Sequence, residues 1–221
     1  MHEEGKTQVY FEVGKRALEI CAPYLDPRQN PRILDFPCGY GRVMRYFRNF
    51  YPNAEIFGCE LDSRMLDFCE ENFNSHRIQA DDNLNVDLPT DLDLIFSGSL
   101  LTHFDEHQWD KFFSICEPSL KIGGHLIFTT HGRIHAKMAS IQHPLFGNLI
   151  DTKALYSDYL KTGFSFLPYD PKWPTFGLSL SSPQKVMEKI SKLSNLKLVH
   201  MGEGEWGQDV WVVQRIEHSL I

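Results

Sequence analysis

Short apolar runs alternate with amphipathic segments along most of the chain. Continuous apolar runs predict buried strands, whereas apolar residues spaced three and four apart predict helices. The predicted strands are residues 32–36, 54–60, 76–79, 92–96, 125–130, 196–200 and 209–213. The predicted helices are residues 8–23, 41–50, a segment starting near Asp62 or Ser63, 105–120, 151–163 and a segment starting at Ser182. This alternation is typical of a mostly parallel sheet that is covered by helices on both faces.

Turn residues refine this pattern. Asp105 and Gln108 form a plausible capping box for the helix over 105–120, and Gly123-Gly124 is expected to break the chain before the strand at 125–130. The last two strands are separated only by residues 202–207, so they must be antiparallel. The predicted fold class is therefore α/β: a seven-stranded, mostly parallel, doubly wound sheet with a C-terminal antiparallel hairpin.

The first predicted strand ends in an acid and is followed by a glycine turn, Asp35-Phe36-Pro37-Cys38-Gly39-Tyr40-Gly41. Glycines let the backbone approach a ligand closely, and the following helix offers free N–H groups at its start. Glu60 ends the second predicted strand, and an acid at that position can accept hydrogen bonds from ribose hydroxyls. These residues predict a nucleoside-binding βαβ unit.

Composition excludes several classes of protein. The net charge of −7 argues against general nucleic-acid binding, and no apolar run approaches the roughly 20 residues that span a membrane. No signal peptide is evident. The five cysteines are scattered without a C-x-x-C pair, so neither disulfides nor a zinc site are expected and a reducing, cytoplasmic location is the default. Composition leaves the oligomeric state open.

With 221 residues, the chain is expected to form a single domain over 1–221. Two segments flank or interrupt its α/β pattern. Residues 1–30 contain a leading helix. Residues 132–180 are long for a crossover and rich in aromatic residues, so this segment is expected to be a functional insertion, a lid over the cleft.

In its motifs the chain resembles a class I S-adenosylmethionine-dependent methyltransferase, and it is most similar to bacterial small-molecule members. The glycine turn matches that family's first motif, although Pro37 stands in place of the usual first glycine. The resemblance implies S-adenosylmethionine as cofactor, S-adenosylhomocysteine as product, and in-line methyl transfer to a small-molecule acceptor. No metal is expected either, because no carboxylate stands at the ends of the strands at 92–96 and 125–130, and composition already argues against a nucleic-acid or membrane partner.

The resemblance also implies a set of cofactor-binding residues. Glu60 would hold the ribose, Asp81 the adenine amino group with Asp82 as the register alternative, and the backbone of Ser97 and Gly98 the methionine moiety. The full predicted set is Asp35, Gly39, Gly41, Glu60, Leu61, Asp81, Asp82, Ser97 and Gly98.

His103 and His131 are the candidate catalytic residues. They lie just past the strands at 92–96 and 125–130, at the carboxyl edge where α/β sheets bind ligands. A histidine with a near-neutral pKa can take a proton from an attacking hydroxyl. The alternative for each is a packing or helix-entry histidine.

Three further hypotheses remain beside this interpretation. A dinucleotide-dependent oxidoreductase would need a small residue where bulky Met44 stands. A cofactor-binding module that no longer methylates would keep the glycine turn and lack a product. Cys38 stands in a Pro-Cys pair that suggests a nucleophile, but its place after the first strand favours a packing role.

Overall fold

The structure is a computed structural model that describes residues 2–143 and 151–217. Over these residues the helices are α1 (His2–Cys21), α2 (Met44–Phe50), α3 (Ser63–Phe73), α4 (Glu106–Ser119), α5 (Arg133–Ser140), α6 (Thr152–Thr162) and α7 (Pro183–Ser191). The strands are β1 (Arg32–Asp35), β2 (Glu55–Glu60), β3 (His76–Gln79), β4 (Leu92–Ser97), β5 (Leu120–Thr130), β6 (Phe164–Pro168), β7 (Gly177–Ser181), β8 (Leu196–Gly202) and β9 (Asp209–Arg215).

Seven strands form one sheet in the order β3-β2-β1-β4-β5-β9-β8, and β6 pairs with β7 in a separate two-stranded sheet. The pairs β1–β2, β1–β4 and β2–β3 are parallel, whereas β8 and β9 are antiparallel. The structure thus confirms the predicted fold class, a mostly parallel seven-stranded sheet with a C-terminal antiparallel hairpin.

The chain divides into two compact units. The N-terminal unit comprises the chain up to Ser97 together with Ile115–Ile127, and the C-terminal unit comprises Gly98–Ser114 and the chain from Phe128 onward. In the N-terminal unit, the strands β1 and β4 are buried along nearly their whole length. Phe47 of α2 packs edge-to-face on Phe96 of β4, with ring centroids 6.4 Å apart. The apolar face predicted for this helix therefore covers the sheet.

The core of the C-terminal unit is built from large aromatic side chains. Phe128 of β5 stacks on Trp211 of β9 at 6.4 Å and meets the ring of Phe113 edge-on at 5.2 Å. Burying an indole also requires a partner for its N–H group. Trp211 Nε1 donates to Thr130 Oγ1 at 3.0 Å, and Trp109 Nε1 donates to the Leu101 carbonyl at 2.9 Å.

The segment 132–180 contains more regular structure than the sequence predicts. Helix α6 is as expected, since the Asp151 side chain accepts from the N–H groups of Lys153 and Ala154 and Gly163 ends the helix with φ 75°. Helix α5 and the β6–β7 hairpin are additional. Buried residues of α5, α6 and β7 form a local apolar cluster. Residues 144–150 of this segment lie outside the described residues, and its role as a lid stays a prediction.

One predicted break is wrong. Gly123-Gly124 does not end the chain's extended path, because β5 begins at Leu120 and runs through both glycines. Gly123 adopts φ 84°, and a side chain on Gly124 would meet the Leu92 carbonyl at 2.6 Å. The glycines permit an irregular strand with a close backbone neighbour instead of a turn.

Helix ends follow their capping signals. Asp62 accepts from the Arg64 N–H group at the start of α3, and Asp105 and Gln108 form the predicted capping box, with N–H to side-chain distances of 2.8 and 3.2 Å. Two boundaries differ from the prediction. Helix α1 begins at His2 and gives way to a 3₁₀ turn at Ala22, and α2 begins at Met44 because the glycine turn extends through Val43.

Candidate active site

Glu60 organises the glycine turn after β1. Its Oε2 accepts the Gly39 N–H at 3.1 Å, and its Oε1 accepts the Leu61 N–H at 2.7 Å. The Cys38 N–H donates to the Cys59 carbonyl at 3.0 Å, so the turn is also tied to β2 through the backbone. Each carboxylate oxygen can accept more than one hydrogen bond. Glu60 therefore keeps acceptor capacity while it fixes the turn.

The two glycines of the turn serve different purposes. Both have positive φ, 50° at Gly39 and 65° at Gly41. A Cβ on Gly39 would have nothing within 4 Å, whereas a Cβ on Gly41 would collide with the Phe73 ring of α3. Gly39 thus has open space beside its backbone, and Gly41 makes room for the packing of α3.

Asp35 is a buried acid at the end of β1, with 2% of its surface exposed. The pKa of Asp35 is raised to about 8, mainly by burial and also by the nearby Glu60 carboxylate, while the Met44 N–H and Arg42 act to lower it. Its Oδ2 has no hydrogen-bond partner among the described residues. At neutral pH this carboxyl is held largely protonated by its surroundings.

Asp81 and Asp82 follow β3 in an exposed turn. Asp81 Oδ1 accepts the N–H groups of Asn83 and Asn85 at 2.9 and 2.8 Å, and its Oδ2 accepts the Asn85 amide at 2.8 Å. Asp81 therefore orders the turn, and the structure brings both acids to the end of the strand that pairs with β2.

Cys38 is part of the packing beneath the turn. The thiol is 4% exposed, and a hydrogen bond with Cys69 together with burial raises its pKa well above the usual range. Cys69 also donates its S–H group to the Gly39 carbonyl at 3.3 Å. Thiols are nucleophilic only as thiolates, so this environment favours the packing role over the nucleophile hypothesis.

Met44 is a bulky residue at the position where a dinucleotide-binding fingerprint has a small one, and the structure shows how its side chain is accommodated. The Met44 side chain is fully buried. Its methyl group and the Cys38 Sγ lie where a side chain at Gly58 of β2 would be, at 2.9 and 3.0 Å from such a Cβ. A glycine in the neighbouring strand thus provides the space that Met44 needs.

The strand β4 ends at Ser97, which is fully buried, and its Oγ has no hydrogen-bond partner among the described residues. Gly98 follows it and begins the C-terminal unit. Both lie at the carboxyl end of β4, where the sequence predicts that the backbone contacts the methionine moiety.

His103 ends the 3₁₀ turn Leu101–His103 in the C-terminal unit. Its Nδ1 lies 3.0 Å from the Gly177 carbonyl and 2.9 Å from the Tyr169 hydroxyl. A carbonyl can only accept, so Nδ1 carries the proton and Nε2 carries the lone pair. Burial lowers the pKa of His103 below its ordinary value, and the Gly177 carbonyl partly opposes this. The neutral imidazole is thus oriented with a basic nitrogen that has no hydrogen-bond partner among the described residues.

His131 follows β5 and is 8% exposed. Its ring stacks on His135 of α5 with centroids 4.1 Å apart. Burial lowers the pKa of His131 well below its ordinary value, and the neighbouring His135 and His103 lower it further. Burial also lowers the pKa of His135 to about 4. The C-terminal unit therefore brings three histidines together as neutral groups.

The strand β7 positions both predicted histidines, a feature that the sequence analysis missed. Three alternate residues contribute: the Gly177 carbonyl meets His103, the Ser179 hydroxyl donates to the Leu101 carbonyl at 2.8 Å, and the Ser181 N–H donates to the His131 carbonyl at 2.9 Å. The alternation Gly177-Leu178-Ser179-Leu180-Ser181 is a period-two signal that marks a strand. This pattern was not used to predict a strand, because most of it lies within the aromatic segment 132–180.

Comparison with known proteins agrees with the fold. The family model described as "Methyltransferase domain" matches residues 33–124. Two curated relatives are each named malonyl-[acyl-carrier protein] O-methyltransferase. The protein from Bacteroides fragilis is 28% identical over 60% of this chain and 27% of its own length. The protein from Paenibacillus sp. is 29% identical over 51% of this chain and 45% of its own length. The chain thus spans less than half the length of the curated relatives it matches.

Solved structures give the same result at the level of the fold. A S-adenosylmethionine-dependent methyltransferase from Methanosarcina mazei superposes with a TM-score of 0.63 at 14% identity, covering 89% of this chain and 97% of that chain. The family match and the fold confirm the resemblance found from the motifs. Residues 33–124 thus match the methyltransferase domain model, and the fold is shared with S-adenosylmethionine-dependent methyltransferases of known structure.

No helix among the described residues is long and apolar enough to cross a membrane.

Proposed function

We propose that this chain transfers the methyl group of S-adenosylmethionine to an oxygen atom of a small-molecule acceptor. The observation that carries the proposal is the Glu60 carboxylate, held by the Gly39 and Leu61 N–H groups beside the open face of Gly39. Both curated relatives are named O-methyltransferases, which favours an oxygen acceptor.

The residues of the N-terminal unit fit the cofactor. Glu60 has acceptor capacity for the ribose hydroxyls, and Gly39 leaves its backbone accessible. The buried Asp35 Oδ2 lacks a partner among the described residues and is a candidate acceptor for the cofactor's polar groups. When bound, the cofactor supplies a methyl group on a sulfonium, which is an electrophile with a built-in leaving group.

His103 is the proposed general base. Its Nε2 receives the acceptor's proton, while the Gly177 carbonyl holds Nδ1–H and stabilises the imidazolium that forms. Because burial keeps its pKa below the ordinary value of about 6.5, the basic form predominates at neutral pH. His131 is less suited, because its Nε2 already faces the Gln208 amide at 3.5 Å.

Isotope transfer tests this proposal directly. The protein is incubated with S-adenosylmethionine labelled on its methyl group and with hydroxyl and carboxylic acid acceptors, and labelled product is measured by mass spectrometry. With a hydroxyl acceptor, His103→Gln should lower turnover ~10²- to 10⁴-fold, because general-base catalysis contributes about that much. His107→Gln is the matched control, since His107 is exposed on α4.

The pH profile separates base catalysis from simple loss of structure. Wild-type turnover should rise with pH as His103 loses its proton, and the midpoint of the rise should lie below the ordinary histidine pKa of about 6.5. His103→Gln should abolish that rise. Turnover by His103→Gln within about threefold of wild type on every hydroxyl acceptor would contradict the assignment.

A further inference from the structure

A short polar network in the C-terminal unit joins the turn after β4, the end of β5 and the turn before β9. Its members are Ser99, Thr129, Gln208 and His131. Neither the motifs nor the proposed proton transfer assigns a role to Gln208. Its side chain nevertheless contacts all three of the other residues.

Ser99 is the strained member of this network. It adopts φ 60°, a left-handed conformation that non-glycine residues rarely adopt and that persists only when the surroundings enforce it. Three hydrogen bonds do so. Its N–H donates to Thr129 Oγ1 at 2.8 Å, its carbonyl accepts from Thr102 Oγ1 at 3.0 Å, and its Oγ accepts from Gln208 Nε2 at 2.9 Å.

Donors and acceptors follow a fixed direction through the network. Because Thr129 Oγ1 accepts the Ser99 N–H, its own hydroxyl proton is available to donate to Gln208 Oε1, which lies 2.5 Å away. The amide nitrogen of Gln208 is then turned toward Ser99 Oγ and toward His131 Nε2, at 2.9 and 3.5 Å. An amide N–H group can only donate, so His131 Nε2 must carry the lone pair and Nδ1 the proton.

We propose that Gln208 is a positioning residue that fixes the tautomer of His131 and the left-handed turn at Ser99. The inference rests on the proposed function for its catalytic meaning, but the tautomer itself is a property of the protein without cofactor. The Nε2 lone pair of His131 then faces the Gln208 amide, whereas that of His103 does not, so His131 is the weaker base candidate and proton transfer is left to His103.

The neighbouring histidines also disfavour a charge on His131, whereas a hydrogen bond with the Ser179 backbone opposes this and raises its pKa. His135 stacks on its ring, and His103 is close enough to interact with it electrostatically. A charge on His131 would oppose protonation of His103 during the reaction. By directing an N–H group at His131, Gln208 disfavours that charge and keeps His103 able to accept a proton.

Nitrogen-detected NMR of the histidine rings tests the inference on the cofactor-free protein. Long-range ¹H–¹⁵N spectra distinguish the two neutral tautomers and the imidazolium. The wild type should show His131 protonated on Nδ1 only. A wild-type His131 that carries its proton on Nε2 would overturn the inference, and this result requires no variant to fold.

The variant Gln208→Glu tests whether residue 208 controls the tautomer of His131. A carboxylate beside Nε2 requires a proton on that atom, so His131 should change to an Nε2-protonated form and its pKa should rise because an opposite charge favours the charged ring. Gln142→Glu adds the same charge at an exposed position at the end of α5 and should leave the His131 signals unchanged. Unchanged His131 signals in Gln208→Glu would contradict the inference.

Kinetics separate this role from a purely structural one. Gln208→Glu should lower kcat about 10- to 100-fold, because the substitution misplaces the groups that Gln208 holds and adds charge near His103. The rise of kcat with pH should move to higher pH. The affinity for S-adenosylmethionine should change little. If His103→Gln retains full activity but the spectra behave as expected, His103 is not the base and the tautomer assignment stands; if the wild type transfers no methyl group to any acceptor, the proposed function fails while the tautomer assignment stands. If His103→Gln is inactive and the spectra do not change in Gln208→Glu, the role of Gln208 fails alone.

Discussion

The environment of Asp35 changes the chemistry that this residue would have in isolation. An acid at the end of a strand is easily taken for an ionised ligand group. Burial, with the Glu60 carboxylate nearby, instead raises the pKa of Asp35 to about 8. Sequence reasoning identified its place in the turn, but the pKa depends on neighbours from other elements and could not be predicted.

The raised pKa makes stability depend on pH at this residue. A group whose folded-state pKa lies above its unfolded value stabilises fully below the unfolded pKa, and that stability is lost as pH rises through the folded pKa. For Asp35 the window is roughly pH 4 to 8. Asp35→Asn should therefore become more stable relative to wild type as pH rises through this window.

Urea unfolding of both proteins at pH 4, 6, 8 and 9 measures this difference. Glu71→Gln, an exposed change of the same kind on α3, provides the control and should show no such trend. A constant difference in the free energy of unfolding between wild type and Asp35→Asn across this range would contradict the buried, protonated state of Asp35.

At the scale of elements, most helices and strands could be predicted because their signals are local. Asp62, the Asp105–Gln108 pair and Asp151 each cap a helix as expected. The β6–β7 hairpin and the irregular β5 could not be predicted in the same way. Gly177 and Gly124 lie close to the backbone carbonyls of Leu167 and Leu92, and these contacts exist only in the folded chain.

The hairpin is also the element that orients His103, so its backbone geometry should matter for activity. A Cβ on Gly177 would collide with the Leu167 carbonyl of the paired strand. Gly177→Ala should cost about 1–3 kcal/mol of stability, as overpacking usually does, and should lower turnover because the Gly177 carbonyl moves away from His103 Nδ1.

Thermal unfolding and the turnover assay together check this prediction. Ser165→Ala in the same hairpin adds no atom and removes a hydroxyl whose oxygen has no partner among the described residues, so it should preserve both properties. Wild-type stability and turnover in Gly177→Ala would show that the carbonyl does not orient the base.

For the whole molecule, the order and spacing of weak motifs identified the fold and the family. Gly39 and Gly41 follow β1, Glu60 ends β2 and Asp81 follows β3, at the spacing that a parallel sheet needs, so the βαβ arrangement could be predicted from one sequence. The surroundings of His103 and His131 could not be, because Tyr169, Gly177 and Gln208 lie 66 to 77 positions away in the chain. Short-range patterns carry no information on such contacts.

We infer that this chain binds S-adenosylmethionine through Glu60. Calorimetric titration of S-adenosylmethionine into the wild type, Glu60→Ala and the control Glu71→Gln tests it most directly. Charge-assisted hydrogen bonds contribute ~1.5–3 kcal/mol, so Glu60→Ala should weaken binding roughly 10- to 100-fold, while Glu71→Gln binds like the wild type and circular dichroism is unchanged in both. No binding to the wild type, or equal affinity for wild type and a folded Glu60→Ala variant, would contradict the account.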